Sequence, residues 1–171
     1  MGLQKTKQVF KGRLINVFLK ERKLPNGRTA RFELIRHPGA VLIVPFLGKD
    51  KIVLIRQYRA VIDSYIWELP AGTLHHNEKP LACARRELIE EIGYRAGSLS
   101  RLCYIYPAPG YTTEKIIIYA ARRLEKVKAA KEPDEVISPK PLSVKEIRQL
   151  FNSGRITDAK TICALKFADI I

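Results

Sequence analysis

The chain lacks any apolar run long enough to cross a membrane. Its longest, residues 40–47, falls far short of the ~20 residues that a spanning helix needs. The first dozen residues carry Lys5, Lys7 and Lys11 without an apolar core, so no secretory leader is expected. Cysteine is scarce: Cys83, Cys103 and Cys163 are odd in number and far apart, with no CxxC and no Cys/His cluster. That argues against a disulfide framework and a structural zinc site, and predicts buried thiols in a cytoplasmic protein. No repeat, low-complexity tract or Gly/Ser-rich linker divides the 171 residues, a length that suits one domain with a small appendage. Acidic residues are also few, 17 against 31 basic, for a net charge of +14. The imbalance is uneven: residues 1–60 hold 14 basic and 3 acidic side chains, residues 61–171 hold 17 and 14. A basic half points to a polyanion such as nucleic acid, a membrane surface or a phosphorylated small molecule, unless it only keeps the protein soluble. No RNP, zinc-finger or helix-turn-helix pattern accompanies the charge, which argues against nucleic acid.

What is present reads as strands followed by strands mixed with helices. Residues 9–36 form an antiparallel excursion around Pro25-Asn26-Gly27, a hairpin signal because Asn and Gly tolerate positive φ. Residues 40–47 and 51–58 form a second pair across Gly48-Lys49-Asp50. Their apolar runs are continuous rather than alternating, as in strands covered on both faces. A helix is expected from Pro80 to Gly93. Strands follow near 99–106 and 115–121, then a polar stretch at 122–135, a further strand, and helices at about 144–152 and 157–169. The alternation predicts a layered α/β sandwich.

On the 80–92 helix, Glu87, Glu90 and Glu91 fall at i, i+3 and i+4 and share a face, while Leu81, Leu88 and Ile92 face the sheet. Three neighbouring carboxylates repel each other, and a bound hard cation such as Mg²⁺ removes that cost. Arg86 and Glu78 lie close enough in sequence to pin a carboxylate through a forked bond. The competing reading is a solvated acidic face. His75 and His76 read as loop residues, because oxygen donors dominate the site. Arg56 and Arg59 follow a buried strand, and an arginine there can fork onto phosphate oxygens; Arg59 is the better placed.

The spacing Gly72, Glu78, Arg86, Glu87, Leu88, Glu90, Glu91, Gly93 resembles the box of the Nudix hydrolases, G-x5-E-x7-R-E-U-x-E-E-x-G-U. Tyr94 replaces the last aliphatic position. Seven fixed positions of types each used at about 5–7% coincide by chance on the order of 10⁻⁹ to 10⁻⁸ per window. The resemblance extends over roughly residues 40–171. It implies an α/β/α sandwich with a mixed sheet (38–171), preceded by an N-terminal antiparallel β element (1–37) that packs across a two-fold homodimer and walls the nucleoside pocket. It also implies Mg²⁺, or alternatively Mn²⁺, held by Glu87 and Glu91, with Glu90 in or beside the ligand set and the Ala71 carbonyl completing it.

Outside the box, Arg56-Gln-Tyr-Arg59, Trp67-Glu-Leu-Pro-Ala-Gly72, Gly154-Arg-Ile-Thr-Asp-Ala-Lys-Thr-Ile162 and Pro109-Gly110 with Glu114 resemble the ADP-ribose pyrophosphatase branch. That branch implies hydrolysis of ADP-ribose to AMP and ribose 5-phosphate, with Arg59, Arg56, Trp67, Pro109, Gly110 and Glu114 toward the substrate. The general base in relatives comes from a later loop, here 131–136. Pro133 stands where one of two acids would fall, leaving Glu135 and Glu132, with Glu135 favoured. The rival readings are a hydrolase of another nucleoside diphosphate sugar (GDP-mannose, ADP-glucose) and a nucleotide- or RNA-binding Nudix module without turnover. An intact box argues against the last.

Overall fold

The computed structural model describes residues 6–12, 15–129 and 136–171. Three strands, β1 (Thr6–Lys11), β2 (Asn16–Lys23) and β3 (Thr29–Arg36), make a separate antiparallel sheet in the order β1-β2-β3. Its β2–β3 hairpin closes at the expected turn. Gly27 takes φ 82°, its N–H donates to Leu24 O (2.9 Å), and the Asn26 side chain accepts from Arg28 N (3.1 Å).

The main sheet contains β4 (Ala40–Leu47), β5 (Lys51–Arg59), β6 (Ser64–Glu68), β7 (Ala71–Thr73), β8 (Tyr94–Ile105), β9 (Ile116–Lys126) and β10 (Ile137–Ser143). Its order is β10-β5-β4-β9-β8, with β6 on β5 and β7 on β4. β4 and β9 run parallel and the remaining pairs are antiparallel, so the sheet is mixed. Helix α1 (Pro80–Ile92) covers one face; α2 (Val144–Asn152) and α3 (Ala159–Phe167) cover the other.

The continuous apolar runs have the expected cause. In β4, Leu42, Val44 and Phe46 pack with Ile147, Ala164 and Leu165, while Val41 and Ile43 pack with Cys83, Ala84 and Leu88. Period-two geometry sends neighbours to opposite layers, and both layers are dry. Each fully buried Leu or Ile contributes roughly 1.5–3 kcal/mol of hydrophobic stabilisation. The edge strand β10 carries Pro139 and Pro141, two apart. The ladder to β5 is unbroken from Ile137↔Gln57 to Ser143↔Lys51, so both ring nitrogens face away from it. α2 starts on a capping box, Glu146 N–H to Ser143 Oγ (3.2 Å) and Ser143 N–H to Glu146 Oε2 (2.7 Å).

Two expectations are corrected. β8 begins at Tyr94, directly after α1, and β9 runs to Lys126, so the first five residues of the supposed polar stretch 122–135 are strand. The Tyr94↔Lys126 end of that ladder leaves Arg122, Arg123 and Glu125 in solvent, which hides it from an apolar pattern. Leu81 does not face the sheet; it is 40% exposed, because the first turn of α1 precedes the stretch that packs.

Candidate active site

The site is assembled where β7 meets α1. Pro80 opens the helix at its first turn, and Gly93 closes it in the left-handed region (φ 70°), as the sequence predicted. On the sheet side the helix buries Cys83, Ala84, Leu88 and Ile92, but also two acids, Glu87 (8% exposed) and Glu91 (3% exposed). Charged groups this deep persist only where polar partners and counter-charges hold them. Ala71 N–H donates to Glu91 Oε2 at 3.0 Å. Gly72 lies so close to Glu87 that a Cβ built there would sit 1.6 Å from Oε1, so the motif glycine exists for close approach.

Arg86 is the hub. Its Nε and Nη2 donate to the two Glu78 oxygens, each at 3.0 Å. Its Nη1 reaches Glu87 Oε1 (2.6 Å) and Glu90 Oε2 (2.7 Å), and Nη2 also reaches Thr73 O (3.3 Å). Arg86 holds the Glu78 carboxyl down to about 2, helped by the His75 N–H at 3.0 Å, and its own guanidinium is pushed up in return. Cys83, behind the loop, is pushed up to about 12 by burial and is a packing thiol rather than a nucleophile. All three cysteines are free; the expectation of buried thiols holds for Cys83 and is corrected for Cys103 and Cys163, which are only half-buried.

The structure thus brings Ala71, Glu87, Glu90 and Glu91 into one patch. Among the described residues, no group of three His, Cys, Asp or Glu side chains converges as it stands on a common ion position. Glu87 and Glu90 turn toward the Arg86 cation instead. The donor set fits a hard divalent ion nonetheless: three clustered carboxylates, two of them buried, over a glycine cradle that leaves no room for a side chain.

The other predicted residues divide into groups. Arg59 turns back on Glu68, Nε to Oε1 at 2.6 Å and Nη2 to Oε2 at 2.7 Å, and also feels the charge of Glu91. Burial pushes Glu68 up, but Arg59 and Lys160 outweigh it and hold the carboxyl below its ordinary range. Arg56 stacks over Trp67 (5.4 Å) and Tyr65 (6.0 Å). Trp67 packs into the layer under α2, on the opposite face of the sheet from α1, and lines a groove with Leu142, Leu150 and Arg155. Arg56 and Trp67 therefore do not join the carboxylate patch.

Pro109 and Gly110 form a turn tied to the N-terminal sheet: Ile35 N–H donates to Tyr111 O (2.7 Å) and Thr113 N–H to Ile35 O (3.0 Å). Together with Lys20, Arg22, Phe32 and Tyr111 they line a cleft of about 400 Å³. Glu114 faces His37 at 3.8 Å. Glu132 and Glu135 lie outside the described residues.

Sequence reasoning gave no role to Glu68 or Lys160, which the structure joins to Arg59. The available signal was an acid between Trp67 and Leu69 in an apolar strand, since a carboxylate there must find a cation.

The profile described as NUDIX domain matches residues 36–165. The chain belongs to the Nudix family. This Nudix chain is 36% identical over 168 residues to the methanol dehydrogenase activator of Bacillus methanolicus, covering 97% of this chain and 91% of that one. It is 32% identical over 165 residues to the ADP-ribose pyrophosphatase of Bacillus subtilis (strain 168), covering 95% and 89%. The crystal structure of an ADP compounds hydrolase superposes on the Nudix chain with a TM-score of 0.85 at 26% identity, covering 96% and 90%. The chain is a Nudix pyrophosphohydrolase of the ADP-ribose pyrophosphatase branch, and Nudix hydrolases generally use divalent metal ions.

Proposed function

We propose that this enzyme hydrolyses ADP-ribose to AMP and ribose 5-phosphate, with Mg²⁺, or Mn²⁺ in its place. The observation that carries the reading is the buried pair Glu87 and Glu91, braced by Arg86, Gly72 and Ala71 on the side of the sheet where Arg59 is also held. Glu87, Glu91, Glu90 and the Ala71 carbonyl would hold the metal. When bound, the ion draws charge from the diphosphate oxygens and makes a water more acidic.

The residues of the chain do the rest. A water oxygen bonds to one phosphorus while the bridging P–O bond breaks, and the water's proton passes to a carboxylate, Glu135. Arg59 holds a non-bridging oxygen through the edge of its guanidinium that Glu68 does not occupy. The cleft at Pro109 and Gly110, with its basic Lys20 and Arg22 and aromatic Phe32 and Tyr111, suits a nucleoside joined to phosphate. Glu114 follows the cleft residue Thr113 in the chain and faces His37, while Arg56 and Trp67 stiffen the strand pair behind. A panel of nucleoside diphosphate compounds with Mg²⁺ and Mn²⁺ is expected to give AMP from ADP-ribose fastest. Faster GMP release from GDP-mannose, or faster turnover of ADP-glucose, would move the assignment to that sugar nucleotide.

The base is tested separately. Glu135→Gln is expected to lower kcat by roughly 10²-fold with KM nearly unchanged, and Glu132→Gln by much less. A proline, with its fixed φ, stands between the two acids in the sequence, which is the reason to expect unequal effects. The reverse ranking would assign Glu132, and two small effects would turn attention to Glu90.

We also propose a cytoplasmic homodimer whose N-terminal element, residues 1–37, is the separate unit that contacts the second copy. Val9, Phe10 and Phe32 are exposed on the three-stranded sheet, and the three free thiols suit a reducing compartment. A monomer mass in sedimentation equilibrium would remove the dimer.

A further inference from the structure

Glu68 is fully buried, yet it is not part of the carboxylate patch on α1. A buried carboxylate is costly unless its oxygens are hydrogen-bonded and its charge is matched. Here two cations meet it from different parts of the chain. Arg59, at the end of β5, takes both oxygens in a forked contact (2.6 and 2.7 Å). Lys160, in the first turn of α3, bonds Oε2 as well and also donates to Asp158 Oδ1 at 2.8 Å. Asp158 Oδ2 accepts from Thr161 N–H (3.0 Å), capping the helix, and Thr161 Oγ1 accepts from Leu69 N–H (2.9 Å). The two acids and two bases form a closed, charge-balanced cluster. It fastens α3 to residues 68–69, immediately before β7, whose Ala71 and Gly72 meet Glu91 and Glu87.

The consequence for Arg59 is directional. Its Nε and Nη2 edge is occupied, while Nη1 has no partner among the described residues and the side chain is 41% exposed. The guanidinium is fixed on one edge and open on the other, the form that suits gripping an incoming anion. We propose that Lys160 is a positioning residue for substrate binding: by sharing Glu68 it sets the plane of that carboxylate and so the aim of Arg59. Lys160 also cancels a charge. Without it, the cluster carries a net negative charge beside Glu91 and facing a dianionic diphosphate, so binding weakens on both counts. The inference rests on the reading of Arg59 as a diphosphate ligand.

A double-mutant cycle on the full chain, saturated with Mg²⁺ and assayed with ADP-ribose, tests it. Lys160→Met is expected to raise KM about tenfold with kcat within about threefold, and Lys160→Arg to restore most of it. Arg59→Met should raise KM at least as much. The double variant should raise KM by clearly less than the product of the two single effects, because the aiming part of the lysine's effect acts through the arginine. Mn²⁺ affinity, read by EPR, should be unchanged in all of them. Lys160→Gln, which still offers Glu68 a donor, serves if the methionine variant does not fold, and is expected to show the same rise in KM. Additive effects in the cycle, or an unchanged KM in the folded Lys160 variant while Arg59→Met raises it, would overturn the inference. An unchanged KM in Arg59→Met would overturn the reading of Arg59 itself.

Discussion

Glu91→Gln is expected to lower kcat by roughly 10²–10⁴-fold while the protein keeps its fold and melting temperature within a few degrees. The glutamine has almost the same volume, so the packing around a residue only 3% exposed is preserved. Its carbonyl can still accept the Ala71 N–H, now at 3.0 Å, and the start of β7 stays in place. What disappears is one unit of negative charge at the point where an oxyanion donor must face a divalent ion. Structure and chemistry are therefore separable at this residue. Circular dichroism and thermal melting report the first, and initial rates against Mg²⁺ concentration report the second. Near-normal turnover at saturating Mg²⁺ would take Glu91 out of the ligand set.

A comparable loss is expected from Gly72→Ala, for a steric reason. The added methyl group would stand 1.6 Å from Glu87 Oε1, 1.9 Å from Cδ and 2.5 Å from Cγ, distances that non-bonded atoms do not tolerate. The three nearest atoms all belong to the Glu87 side chain, which is therefore expected to rotate away. Rotation breaks its 2.6 Å bond from Arg86 and removes its carboxylate from the patch. Overpacking of this kind costs the fold about 1–3 kcal/mol, whereas activity should fall at least ~10²-fold, as for loss of a ligand. A variant that retains a third of wild-type kcat would show that Glu87 serves equally well from another rotamer.

The sequence made some elements plain and hid others, for physical reasons. α1 was readable at both ends, because proline at a first turn and glycine at a left-handed cap are local requirements of the backbone. The doubly covered β4 and β5 were readable from unbroken apolar runs, and the β2–β3 hairpin from Asn26-Gly27. The far end of the β8–β9 ladder was not, because Arg95, Arg122, Arg123 and Glu125 stand in solvent there and dilute the apolar signal of Tyr94, Ala96 and Leu124. The acidic face of α1 was legible as a cluster, but the depth of Glu87 and Glu91 depended on β7 lying over them. Arg59 was legible as a cation near the site. Its engagement with Glu68 and Lys160, 92 residues apart in sequence, is a tertiary fact that no local pattern carries.

The two prolines of β10 bear on how the protein behaves when crowded or heated. A strand at the margin of a sheet normally offers a row of open donors and acceptors, and another chain can add to it. Pro139 and Pro141 remove two donors from the outward margin of a seven-residue strand, so a foreign strand would meet gaps where hydrogen bonds should form. At the opposite margin, the twelve residues of β8 carry no proline and expose Leu102 and Tyr104. Growth of this sheet into an aggregate meets fewer gaps along β8 than along β10, and charges placed along β8 are where engineering for solubility would take effect.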